Sequence, residues 1–167
     1  MKCKWLFLLI ILFSHSCKKV KFTIDKTPYW GDELRLNGYY YNNDDSYTDI
    51  ICLYRDGALL HCQIDKKRDV KEMDKEFINF QTDNQFKYRI DWGCFFIEQI
   101  GINYEYHYST GCFYKISQSK GTINNDSTFI ITHFKMRNTD KKFEKTSTKY
   151  LFREFLHKPD SSHYNKW

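Results

Sequence analysis

The side chains with the most chemical potential lie in Ile102-Asn103-Tyr104-Glu105-Tyr106-His107-Tyr108. In an extended strand, successive residues point to opposite faces. Tyr104, Tyr106 and Tyr108 therefore share one face, and Asn103, Glu105 and His107 share the other. Facing a barrel interior, the tyrosines line a cavity whose hydroxyls orient an amphipathic ligand; the alternatives are a filled core or an outer aromatic face beside membrane headgroups. Glu105 and His107 make an acid–base pair by type and spacing. No nucleophile or glycine-rich loop accompanies them, and a solvated strand face explains them better than general acid–base catalysis. His61 and His133 lack metal-ligand spacing, and no CxxC motif points to zinc, so neither a metal nor a cofactor is expected.

Cys52, Cys62, Cys94 and Cys112 allow three disulfide pairings in an oxidising compartment. Cys94 and Cys112 fall on strands separated by one other strand, and either bridge or stay as buried thiols. Asp56-Gly57 centres a hairpin between Asp49–Arg55 and Ala58–Ile64. A two-residue type I′ loop is favoured for Asp-Gly. It sets Leu53 opposite Leu60 and Ile51 opposite Cys62, and turns Cys52 to the other face with His61, which disfavours a Cys52–Cys62 bridge. A three-residue bulged loop instead puts both cysteines on one face.

The elements that must position these groups are mostly strands. Short segments recur over Leu34–Tyr41, Trp92–Glu98, Ile102–Tyr108, Cys112–Ser117 with Thr122-Ile123, Thr128–Met136 and Thr148–Phe155, separated by Asn-, Asp- and Gly-rich turns. This spacing predicts a mainly β fold, a small antiparallel meander barrel or half-open barrel, with the last strand returning to the first. A further strand is expected at Val20–Ile24. One helix is expected over Asp69–Phe80. Val70, Met73, Phe77 and Phe80 form its apolar stripe, and Asp69 with Glu72 cap its start. Trp92 beside Gly93 is expected to plug one end of the core. Asn125-Asp126-Ser127 reads as a β-turn.

Ahead of this domain, Met1–Lys4 is basic and Trp5–Phe13 is apolar, the plan of a secretory signal. At about 1.5 Å per residue the apolar run is too short to span a bilayer core of roughly 30 Å. Ser14-His15-Ser16-Cys17 closes it and resembles the lipobox of bacterial lipoproteins, in a relaxed form found in Bacteroidota. The resemblance implies cleavage before Cys17, a diacylglyceryl group on its sulfur and acylation of its new amine, and several acyl chains hold a protein stably where one does not. The alternative is a plain secretory signal cut near Ser16. The expected organisation is a signal over 1–16, a lipidated Cys17 and tether over 17–33, a barrel over 34–156 and a flexible tail over 157–167. Lys18-Lys19 lacks the acidic residues associated with surface export in Bacteroidota, which implies an outer-membrane anchor with the domain facing the periplasm.

Loss of Lys2 and Lys4 with the signal takes the formal charge from +5 to +3. Acids and bases alternate along the rest, with no basic face or module for nucleic acid. The motifs Leu36-Asn37-Gly38-Tyr39-Tyr40-Tyr41, Leu53-Tyr54-Arg55-Asp56-Gly57, Trp92-Gly93, Ile102-Asn103-Tyr104-Glu105 and Gly121-Thr122-Ile123-Asn124-Asn125-Asp126 resemble small lipoproteins of Bacteroidota. These are similar in layout to lipocalin-like (calycin) barrels. The resemblance implies a meandering barrel with a packed helix and brings no catalytic residues. Two functions follow as expectations. One is a non-catalytic envelope module holding a small apolar or lipid-like ligand. The other is a solid-cored accessory that docks on an envelope protein.

Overall fold

A computed structural model of the chain describes residues 21–44, 46–65, 69–83, 89–110, 113–137 and 142–166. Eight antiparallel strands follow one another as a meander: β1 (Gly38–Asn43), β2 (Tyr47–Leu53), β3 (Ala58–Asp65), β4 (Ile90–Glu98), β5 (Gly101–Thr110), β6 (Phe113–Asn125), β7 (Thr128–Arg137) and β8 (Glu144–Glu154). β1 pairs with both β2 and β8, so the sheet closes and neither edge is left unpaired. Helix α1 (Val70–Asp83) lies between β3 and β4 in sequence, and a 3-10 helix spans Ser161–Lys166. Among the described residues, no helix is long and apolar enough to cross a membrane.

The expected two segments Cys112–Ser117 and Thr122-Ile123 form one long strand, β6. It bends at register shifts near Lys120/Gly121 and Ile123/Asn125, the irregularities that let a strand follow a barrel's curvature. Ser127 N donates to Asn125 Oδ1 at 3.0 Å in the β6–β7 turn. Val20 lies outside the described residues, and 21–24 form no strand.

Two cores result because the strands bury both faces on one side of the barrel. Inside, Tyr40, Leu53, Leu59, Phe95, Ile102 and Phe129 pack together. Outside β1–β4, α1 covers Tyr39, Ile50, Leu60 and Trp92 with Met73 and Phe77. This is why β2 and β3 read as nearly continuous apolar runs. Lys71 N donates to Asp69 Oδ1 at 3.0 Å, the expected cap. The Val70 and Phe80 side chains lie outside the described residues. Trp92 belongs to the outer core beside Tyr54 and Tyr164 rather than plugging a barrel end. Gly93 faces the barrel interior, and a Cβ there would collide with the Glu105 carbonyl and the Tyr106 backbone of β5.

The hairpin adopts the three-residue loop. Tyr54 N donates to Ala58 O at 3.0 Å, and Gly57 N to Tyr54 O at 3.0 Å. Gly57 holds φ +82, a left-handed conformation that costs glycine little. Leu53 consequently faces Leu59 and Ile51 faces His61, not Leu60 and Cys62 as the two-residue loop requires. A one-residue slip exchanges the two faces of a strand. Cys52 and Cys62 therefore share the outer core as free thiols, and His61 turns into the barrel.

The packed domain is wider than 34–156. Residues 21–36 run along the barrel and over one end rather than forming a loose tether. Tyr29 and Leu34 join the inner core there, and Arg35 N donates to Asp126 O at 3.0 Å. The same end receives the expected tail. Tyr54 Oη donates to Pro159 O at 2.6 Å, and Lys158 Nζ donates to Leu53 O at 2.7 Å.

Candidate functional site

Three consecutive, largely apolar strands each send a carboxylate or an imidazole into the barrel: Asp49 from β2, His61 from β3 and Asp91 from β4. All three are buried. His61 Nε2 meets Asp49 Oδ1 at 2.6 Å, and its Nδ1 lies 3.9 Å from Asp91 Oδ2. Tyr150 Oη donates to the second Asp49 oxygen. Arg89 donates to Asp91 Oδ1 through Nε and one terminal nitrogen, each at 2.9 Å, and lies over the Tyr108 ring at 4.1 Å. Charge is thus balanced within the cluster, the condition for keeping ions in a low-dielectric interior.

Burial pushes the His61 pKa down, but Asp49 and then Asp91 outweigh it and raise the value to about 9. At neutral pH the ring is an imidazolium. Nε2 is hydrogen-bonded to Asp49, whereas Nδ1 is buried without a hydrogen-bond partner and stands at ion-pair distance from Asp91. The His61 ring stacks on Tyr106 at 3.9 Å and 16°, reaching across β4 at the level of Gly93, which carries no side chain to intervene. A cation against an aromatic face adds further attraction.

Above this cluster, toward the end where β2 and β8 begin, the barrel contains a cavity of about 390 Å³ that is partly open to solvent. Tyr104, Tyr106 and Tyr108 line it together, as the alternation in β5 predicts, with Tyr47 and Tyr150 facing them. Among the described residues that line it, only Ile131, Phe134 and Met136 lack a polar side-chain atom. Burial raises the Tyr104, Tyr106 and Tyr150 pKa values, with the Asp49 charge adding to each, so these hydroxyls keep their protons. The chamber offers neutral hydroxyls and ring faces on its walls and a self-neutralised ion cluster below.

The other sequence candidates do not join this site. Glu105 and His107 point outward, as the alternation requires, but they are not a solvated face. Glu105 is buried and accepts Thr23 N at 2.6 Å, with Thr23 Oγ1 and Gln118 Nε2 on its other oxygen. The Phe22 ring stands 4.3 Å from that of His107. The pair therefore straps the N-terminal segment to the barrel. Cys94 is buried as a free thiol against Ile24 O at 3.3 Å; Cys112 lies outside the described residues, and so does Cys17. Among the described residues, no cluster of His, Cys, Asp or Glu is arranged to hold a metal ion.

Sequence reasoning missed Asp49, His61 and Asp91 as a unit. A signal was available: Asp49, His61 and Asp91 each fall among apolar residues in three neighbouring strands, where an isolated charge is costly unless paired. The assumed two-residue hairpin hid it by placing His61 with Cys52. Nothing known supplies a further guide: no protein-family model matches this chain, and neither the curated proteins nor the solved structures contain a significant match.

Proposed function

We propose that this protein is a lipid-anchored cell-envelope binding module. Its barrel holds one small amphipathic molecule and performs no chemistry on it. The observation that carries the reading is the tyrosine-lined cavity above a buried cluster of paired opposite charges. Its volume of about 390 Å³ lies at the small end of ligand sites, which run to roughly 1,000 Å³. A ring-bearing or single-chain molecule suits this space better than a whole two-chain lipid. The walls favour an amphipathic occupant, because polar side chains stand there beside aromatic ring faces. The lipocalin-like layout and the lipobox at Cys17 agree with carriage of such a molecule in the envelope. The anchor is tested by fatty-acid labelling of the wild type and Cys17→Ala, and label that persists in the variant refutes it.

A second reading, docking on an envelope protein, draws on Trp30, Ile100 and Leu156, which are 80%, 67% and 77% exposed. All three lie in segments at the closed end, away from the cavity. Native mass spectrometry of the full-length protein extracted gently from producing membranes separates the two readings. A reproducible excess over the denatured mass is expected for a carrier. A bare acylated mass together with a co-purifying polypeptide supports docking instead.

A further inference from the structure

We propose that the cavity end of the barrel is the face turned toward the membrane, so that the site opens onto the headgroup layer. This rests on the lipid-anchor reading of Cys17 and adds a direction to it. The path of residues 21–36 gives that direction. Tyr29 is pinned at the closed end, where its N donates to Arg55 O at 2.9 Å, and Lys26 pairs with Asp56 at 3.0 Å. Going backward along the chain, Ile24 O receives the Cys94 thiol, Thr23 is held by Glu105, and Phe22 rests on His107. The segment thus climbs the outside of β5 from the closed end toward the cavity end. His107 is the neighbour of Tyr108, whose ring lines the cavity.

Cys17 precedes Lys21 by four residues. Fully extended, four residues reach about 14 Å. The way back along β5 from His107 to Gly101, where the closed end begins, is longer, about 20 Å at strand rise. An acylated Cys17 is therefore confined to the cavity half of the molecule, and the strap on Glu105 and His107 prevents the anchor from swinging below the barrel.

Charge points the same way. Among the described residues, the segments at the cavity end carry Lys21, Lys71, Arg89, Lys115, Lys142 and Lys145 against Asp44, Asp65, Asp69, Glu72, Asp91 and Glu144, so that end is close to neutral. At the closed end, Asp32, Glu33, Glu98, Asp126, Glu154 and Asp160 outnumber Arg35, Arg55 and Lys158. A surface of anionic headgroups repels the acidic closed end and leaves the near-neutral cavity end the easier one to approach it. Trp30 and Ile100, despite their exposure, sit among those acids.

The test uses the full chain, acylated in a bacterial host and reconstituted into anionic vesicles that contain a nickel-chelating headgroup lipid. A nitroxide is attached through a keto amino acid introduced at Lys145 or, in a second sample, at Ile100. The proposal predicts a several-fold larger nickel-induced relaxation at position 145 than at 100. Equal relaxation, meaning a barrel lying on its side, or a larger effect at 100 overturns it. Fatty-acid incorporation is read on the same samples. Its absence removes the anchor reading and the orientation together, whereas labelled protein with the reversed pattern removes the orientation alone.

Discussion

The two halves of the barrel interior are built to different ends. In the closed half, Tyr40, Phe129, Phe152 and Tyr150 pack ring against ring at centroid distances of 4.9–5.2 Å, and Tyr29 and Leu34 cap them. In the cavity half, the same closed sheet surrounds hydroxyls, an ion cluster and empty space. Strand geometry is common to both halves, so the difference lies in the side chains alone. Close packing gives the first half its stability. The second departs from close packing and keeps its charges paired. Tyr150 belongs to both halves: its ring stacks on Phe129 while its hydroxyl reaches Asp49.

The largest effect is expected from emptying the packed half. Phe129→Ala should cost about 3–5 kcal/mol by urea denaturation, while any ligand that still binds the folded fraction keeps its affinity. A loss below about 1 kcal/mol would mean that the closed half is not the stability core.

Breaking the ion cluster comes next. Asp49→Asn removes the closest partner of a buried imidazolium and should cost about 3 kcal/mol at pH 7. The pH dependence fixes the sign. His61 in the folded protein titrates at about 9, above its ordinary value of 6.5. Its contribution is therefore complete below pH 6.5 and fades as pH rises through 9, by an amount on the order of 3 kcal/mol. Denaturation midpoints should fall over that interval in the wild type and change little in Asp49→Asn. A flat wild-type profile would contradict the charged state assigned to His61.

Filling the hollow half should affect binding much more than folding. Thr148 lines the cavity from β8. Thr148→Trp should occupy that space at a cost below about 1.5 kcal/mol, read as a small shift in Tm. A drop of the size predicted for Phe129→Ala would show that the two halves are packed alike. The smallest effect belongs to the rim: Lys145→Ala should alter stability by no more than about 0.5 kcal/mol.

What could be read from the sequence followed the strength of local signals. The Tyr104-Tyr106-Tyr108 alternation placed three rings on one wall because a strand's two-residue period leaves no other choice. The α1 stripe worked through Met73 and Phe77, and Asp69 capped the helix as expected. Closure was legible as a tendency of the last strand to return, and β1–β8 pairing realises it. The hairpin register was not legible. Asp56-Gly57 serves a two-residue or a three-residue loop equally well by type. The longer loop is favoured by contacts from distant segments: Thr27 crosses directly over Gly57, and Phe95 N donates to the Gly57 carbonyl at 3.1 Å. That single residue of register decided whether His61 met Cys52 outside or Asp49 inside. The ends were misjudged for a related reason. Pro28, Gly31 and the run around Pro159 have loop composition, but composition does not reveal that Tyr29 and Lys158 find buried partners at the closed end.

Native mass spectra of wild type and Thr148→Trp, extracted side by side from the same producing membranes, show whether a ligand sits inside the barrel. A ligand mass is expected on the wild type, lost on denaturation, and none on the folded variant. An identical bound mass on both proteins would place the ligand outside the barrel and refute its carriage in the cavity.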